Sequence, residues 1–193
     1  MICSFVKRKY KMSDQHTPEQ RHKNMAAIHS ASTKPEMKLR HALWRLGFRY
    51  RANDKRLPGK PDSVLPKYHT VICVHGCFWH GHKDCPNYTV PKTNTEFWTA
   101  KIARNQERDQ ETWRQLEAKG WYVLIVWECE LKKARFDDTV NYVASTIRLN
   151  GKTYDSLQAD RKNARALYAE ERKLHKEHEA ALKSEIRDKF SSR

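Results

Sequence analysis

Apolar and polar positions along the chain fall into alternating helical and extended stretches. Thr17-Pro18, with Gln20 three residues after the threonine, is a capping-box pattern with proline at the first helical position. It predicts a short basic helix from Pro18 to about His29. Thr33 with Glu36 three residues later starts a second helix, with Leu39, Leu43 and Leu46 on one face and Gly47 as its stop. Extended segments follow. FRYRAND (48–54) is a short strand candidate, LPGKPD (57–62) a turn, and SVLP (63–66) a weak strand. YHTVICVHG (68–76) is a stronger strand, β-branched and closed by Gly76. Residues 77–94 carry neither period and read as an irregular loop. A helical pattern runs from Thr95 to Lys119 and ends at Gly120. WYVLIVWE (121–128) is nearly all apolar, as a strand at a sheet centre requires. A further helix is predicted near Asp137 to Leu149. After Gly151 the tail mixes charges with sparse apolar residues (Leu167, Leu174, Leu182, Ile186), as in a solvated helix or a partly disordered segment. The order α, β, β, α, β predicts an α/β fold, a small mixed sheet flanked by helices.

Composition narrows the function more than the fold. With 193 residues, the chain suits one domain with appendages. We divide it into an N-terminal extension (1–16), a main unit that includes the first helix (17–150), and a charged tail (151–193). A net charge of +15 points to a polyanion, with nucleic acid the default and an anionic membrane surface the competitor. No apolar run approaches the roughly 18 residues of a membrane span. In MICSFVKRKYKM the apolar part, Ile2 to Val6, is too short for a signal-peptide core and precedes its basic residues. It reads as a disordered extension ahead of an alternative start at Met12. A cytoplasmic, nucleoid-associated protein is expected, its cysteines reduced or metal-bound.

The loop HGCFWHGHKDC (75–85) concentrates the candidate chemistry. Cys77, His82 and Cys85, joined by Cys129 after the apolar strand, make a soft donor set that suits tetrahedral structural zinc. The competing reading is ordinary buried or free thiols, and Cys73 inside its strand is read that way. In the helix from Thr95, Trp98, Ile102 and Leu116 define the apolar stripe, and Asn105 and Asp109 fall inside it. Glu36 likewise shares a face with Leu39 and Leu43. A buried carboxylate costs several kcal/mol unless paired. Asp109 is therefore either one half of a buried ion pair or a working acid, and Glu36 either a helix cap or a working acid. Asp62, before a strand, is a turn residue or a hard oxygen ligand for Mg²⁺. His75 and His80 remain once zinc takes His82, and neutral histidine is the obvious general base near pH 7. Phe78 and Trp79, on a loop that zinc would stiffen, are either a small local core or wedges between base pairs, with Trp98 a third candidate. Met25 and Ile28 on the first helix could act in the same way or dock on the body.

At these residues the sequence resembles the very short patch repair (Vsr) DNA mismatch endonucleases. The resemblance runs from about Thr17 to Lys133. It rests on KNMAAI (23–28), LPGKPD (57–62), HGCFWHGHKDC (75–85), TEFWTAKIARNQERD (95–109) and GWYVLIVWEC (120–129). It implies a restriction-endonuclease-like fold, nicking 5′ to the T of a T·G mismatch left by deamination of 5-methylcytosine, Mg²⁺ for cleavage and structural zinc. By motif, Asp62 corresponds to the metal-binding aspartate and the Val74 carbonyl to a second Mg²⁺ ligand. His75 and His80 correspond to active-site histidines, Asp109 and Glu36 to active-site acids, and Cys77, His82, Cys85 and Cys129 to zinc ligands. Phe78, Trp79, Trp98, Met25 and Ile28 correspond to residues that enter the DNA. Val74 and His75 stand where a restriction-like site usually has an acid and a lysine. The expected partner is double-stranded DNA with a T·G mismatch, with mismatch-repair proteins as further candidates. The expected form is a monomer, since it nicks one strand. Two rivals stay open: a zinc-containing nuclease without mismatch preference, and a non-catalytic zinc DNA-binding module.

Overall fold

The computed structural model describes residues 19–20, 23 and 31–191, with side chains after residue 174 described only at 176. The chain divides into two compact units, residues 1–33 and 34–193. In the first unit residues 19, 20 and 23 are helical, where the capping pattern predicts a helix. Met25 and Ile28 lie outside the described residues.

The second unit opens with helix α1, Lys34–Arg45, which buries Glu36, Leu39, Arg40 and Leu43 on one face. Gly47, at φ +86°, ends it. Its N–H bonds to the Trp44 carbonyl, and the Phe48 N–H reaches back to the Leu43 carbonyl, the paired bonds of a glycine C-cap. This cap corrects the sequence expectation for Leu46. That residue lies past the helix end and is 44% exposed, while Phe48, at 2%, takes the core position.

Four strands follow in spatial order β1-β2-β3-β4. Strand β1 (Arg51–Ala52) is only two residues long. It pairs antiparallel with β2 (Ser63–Leu65), which pairs antiparallel with β3 (Thr70–His75). Helix α2 (Thr95–Ala118) then carries the chain to β4 (Tyr122–Trp127), parallel to β3 with His75 opposite Trp127. The apolar run of β4 led to the expectation of a central strand. Instead, β4 is at the sheet edge among the described residues. Its apolarity reflects cover on both faces: Leu124 and Val126 pack with the α1 and α3 core, and Val123 with Val64, Val71 and Leu116 of α2. Sequence alone cannot separate a central strand from an edge strand sandwiched between helices.

Helix α3 runs unbroken from Phe136 to Ser191. It replaces the predicted separate helix and tail, and Gly151 does not interrupt it. Gly151 is buried against Tyr68, where an added Cβ would lie 2.8 Å from the ring. The glycine is there for close approach. Val140, Val143, Ala144 and Ile147 of α3 complete the main core with Leu39, Leu43, Leu65 and Ile72.

Candidate active site

The C-terminal end of β3 gathers most of the chemistry. Asp62, just before β2, accepts a 2.7 Å hydrogen bond at Oδ2 from the Val74 N–H. In a strand the N–H and C=O of one residue leave on the same side. The Val74 carbonyl therefore also faces Asp62, while the next carbonyl, that of His75, accepts the Glu128 N–H beside β4. Asp62 and Val74 thus offer only hard oxygens, a donor set that fits a magnesium-type ion. Burial pushes the Asp62 carboxyl up to about 6, with the Glu36 carboxylate adding to the rise and the Val74 N–H and Arg40 opposing it.

Arg40 stitches this corner together. Its Nη2 donates to the Asp62 carbonyl at 2.6 Å, to Asn53 Oδ1 at 3.2 Å and to Glu36 Oε2 at 3.4 Å. Glu36 and Arg40 are 4% and 3% exposed, so the glutamate is buried, beside Asp62. The sequence reading missed Arg40. The available signal was its position four residues after Glu36, on the same helix face.

The second cluster is His75, His80 and Asp109, whose donor atoms all lie within 4.8 Å of one another. His80 Nδ1 bonds to Asp109 Oδ2. The His75 and His80 rings stack with centroids 3.8 Å apart and planes 17° apart. Imidazole nitrogens bind metals in the ring plane, so two stacked rings cannot converge on one ion. The arrangement suits proton transfer better than metal binding. With Asp109 accepting from Nδ1–H, His80 Nε2 is left as the basic nitrogen. Burial first, then the neighbouring His80, depress His75 to about 4, so its ring is neutral at pH 7. Among the described residues, buried His75 Nδ1 has no hydrogen-bond partner. Trp113 stacks against His75 at 5.7 Å, a contact the sequence reading did not single out.

Helix α2 positions the loop that carries His80. Asn105, the polar residue in the apolar stripe, donates to the Trp79 carbonyl at 2.9 Å. Gln106 donates to the His80 carbonyl at 3.2 Å. Gly81, at φ +62°, passes so close that a Cβ would sit 2.5 Å from Gln106 Nε2 and 2.9 Å from Ile102. Asp109, one turn further along, meets His80 on the same side.

Cys77, His82, Cys85 and Cys129 converge, their donor atoms within 4.8 Å of one another. Cys129 Sγ lies 3.5 Å from His82 Nδ1. Three sulfurs and one imidazole nitrogen, with Cys77 buried and the others partly exposed, can hold a soft, four-coordinate metal ion. The His82 ring lies flat on Trp127, centroids 4.0 Å apart and planes 2° apart, and the edge of the same indole meets His75 at 5.4 Å. Trp127 thus touches both the metal-type cluster and the histidine pair.

Phe78, Trp79 and Trp98 are half-buried and pack on one another at 5.2 to 6.1 Å between ring centroids. Phe97 packs on Trp98 at 5.2 Å and is 55% exposed. The three expected wedge residues therefore form one aromatic cluster at the edge of the loop, continuous with an exposed ring.

The family described as DNA mismatch endonuclease Vsr matches residues 13–87 of this chain. The type II nicking enzyme V.NmeAIP of Neisseria meningitidis is 49% identical over 138 residues, 71% of this chain and 98% of that protein. The DNA mismatch endonuclease Vsr of Escherichia coli K12 is 47% identical over 121 residues, 63% of this chain and 77% of that protein. The type II nicking enzyme V.XorIIP of Xanthomonas oryzae is 44% identical over 120 residues, 62% of this chain and 88% of that protein.

Proposed function

The chain belongs to the Vsr family of DNA mismatch endonucleases, and on that premise we propose that it nicks one strand of duplex DNA 5′ to the thymine of a T·G mismatch. Such mismatches arise when 5-methylcytosine deaminates. The observation that carries the proposal is the histidine pair locked to Asp109 beside the Asp62–Val74 oxygen pair at one end of β3.

Asp62 and the Val74 carbonyl would hold Mg²⁺, with Glu36 next to them. When bound, the ion supplies Lewis-acid polarisation of the scissile phosphate and of the departing 3′ oxygen. His80 Nε2 takes a proton from the attacking water while Asp109 steadies the ring that becomes positive. Neutral His75 binds at the phosphate without adding charge. A bond forms between water oxygen and phosphorus and the bond to the 3′ oxygen breaks, the departing oxygen taking a proton from solvent water. The products are a 3′-hydroxyl and a 5′-phosphate on the thymidine. Cys77, His82, Cys85 and Cys129 would hold Zn²⁺ as a structural clip. A fully occupied tetrahedral site has no open position for substrate. Phe78, Trp79 and Trp98 would enter the stack beside the mismatch, their loop held by that clip and by α2. The enzyme would act as a monomer on double-stranded DNA.

Asp62→Ala is expected to bind a T·G duplex as the parent does and leave it uncut with Mg²⁺ present. Nicking at the parental rate by that variant would sink the metal assignment. Equal cutting of T·G and fully paired duplexes of the same sequence by the parent protein would favour a nuclease without mismatch preference. Binding without any Mg²⁺-dependent cut would leave only a DNA-binding module.

A further inference from the structure

We propose that the distal part of α3 is a second nucleic-acid docking arm, whose basic face seats the phosphate backbone of a duplex segment other than the one being cut. The inference rests on the reading of the chain as a DNA enzyme. It concerns a part of the chain that reading does not use. The match to the Neisseria enzyme takes in 98% of that protein but 71% of this chain.

The helix has two parts. Near its start, the Thr139 hydroxyl donates to the Glu130 carbonyl, close to the end of β4 where Trp127 faces His75. Further along, Asn150 donates to Thr70 Oγ1, and Tyr154 stacks on His69 at 4.0 Å. Thr70 opens β3 and His75 closes it. The helix therefore crosses the sheet from the catalytic end to the opposite end and continues past it. From Asp155 to Leu174, and at Lys176, every residue is exposed.

The charges on that arm are sorted. At about 100° per residue, Arg161, Lys162, Arg165, Arg172, Lys173 and Lys176 all fall within an arc of about 120°. Asp160, Glu170 and Glu171 fall on the opposite side, and Asp155, where the exposed arm begins, falls at the edge of the basic arc. A helix whose charges serve only solubility gains from opposite signs at i and i+4. Here Arg161 stacks on Arg165 and Arg172 on Lys176, like on like, which slightly weakens the helix. Among the described residues no acid is within ion-pair distance of Arg161, Lys162, Arg165, Arg172 or Lys176. A one-sided cationic ridge about 23 Å long matches a phosphate backbone in spacing and sign. Because the ridge lies beyond the far end of the sheet, the duplex it fits is not the one at His75 and Asp62. The arm would tether the enzyme to neighbouring DNA while the active site holds the mismatch.

The test saturates the protein with an unlabelled short T·G duplex, without added divalent cation, and titrates in a labelled, fully paired duplex, read by fluorescence anisotropy. The parent protein is expected to bind the second duplex, with log affinity falling linearly against log salt by about 0.9 for each phosphate contact. A variant with Arg161→Gln, Arg165→Gln, Arg172→Gln and Lys176→Gln is expected to bind it about tenfold more weakly or worse and with a shallower slope. Glutamine keeps the helix, which far-UV ellipticity checks. The same variant should nick the short T·G duplex at the parental rate in Mg²⁺. A companion with Arg161→Lys, Arg165→Lys and Arg172→Lys should retain the second duplex. No second binding event in the parent, or one the glutamine variant keeps, overturns the proposal. So does pairing of two protein copies through the arm with the second duplex unbound. Failure of the parent to nick the T·G duplex counts against the proposed function instead, leaving the anisotropy result to judge the arm.

Discussion

Arg40→Met tests whether one buried guanidinium holds the catalytic corner together. Arg40 is 3% exposed and reaches the Asp62 carbonyl at 2.6 and 3.2 Å and Glu36 Oε2 at 3.4 Å. At that last distance and an effective dielectric near 20, the gross attraction is about 5 kcal/mol. Desolvation of both groups offsets most of it, so the net worth of the pair is small. Removing one member is different, because it takes from buried Glu36, beside Asp62, the guanidinium that faces it, at about 3–5 kcal/mol. The Asp62 carbonyl also loses its charged donor and keeps only the Asn53 N–H at 3.3 Å, at about 1–3 kcal/mol, a cost that overlaps the first because one group makes both contacts. The expected loss is therefore about 3–5 kcal/mol, read as a lower urea midpoint at unchanged slope. The double variant Arg40→Met/Glu36→Met removes both charges and should recover part of this, leaving about 1–3 kcal/mol from the carbonyl. A single variant costing under about 1 kcal/mol, or a double variant worse than the single, refutes the reasoning.

Three further outcomes follow from the same contacts. Cys129→Ser should abolish stoichiometric zinc, measured by elemental analysis, and lower the melting temperature, while Cys73→Ser should keep the metal; zinc retained in the first variant would dismiss Cys129 as a ligand. In Gly151→Ala, the helix gains about 1 kcal/mol of propensity and suffers about 1–3 kcal/mol of crowding against Tyr68, so a net loss is expected in thermal unfolding. A gain would mean the ring moves aside freely. His69, stacked between Trp121 and Tyr154, has its pKa lowered by burial, so its protonation opposes folding. Its contribution is intact above the ordinary histidine value of about 6.5 and is lost as pH falls below it. His69→Phe should flatten the stability profile between about pH 7 and 5 relative to the parent, and an unchanged profile would remove His69 as its cause.

The two polar residues in the apolar stripe of α2 show how far periodicity reaches. At about 100° per residue, Asn105 and Asp109 point inward, so each needs a buried partner. Periodicity does not say that the partners are the Trp79 carbonyl and His80, both some 26 to 29 residues away in sequence. Arg40 was harder to read. A cation in the middle of a helix looks solvated until the strand carrying Asp62 is placed against it. Trp113 and Trp127 were harder still, because an aromatic residue in an apolar pattern gives no sign that its neighbours are histidines.

The local features came from residue type and spacing: the capped helices, the β3 strand, the donor spacing of Cys77, His82 and Cys85, and the misplaced carboxylates. Each depends on neighbours within a few turns of chain. Tertiary structure alone decided which of those features meet. It put β4 at the sheet edge, covered on both faces, and set Gly151 against Tyr68 inside one continuous helix. It also stacked His75 on His80 and Trp127 on His82. The physical reason is that burial and pairing belong to surfaces joined from distant segments. A sequence pattern records that a side chain must be satisfied, and the packed fold determines by which partner.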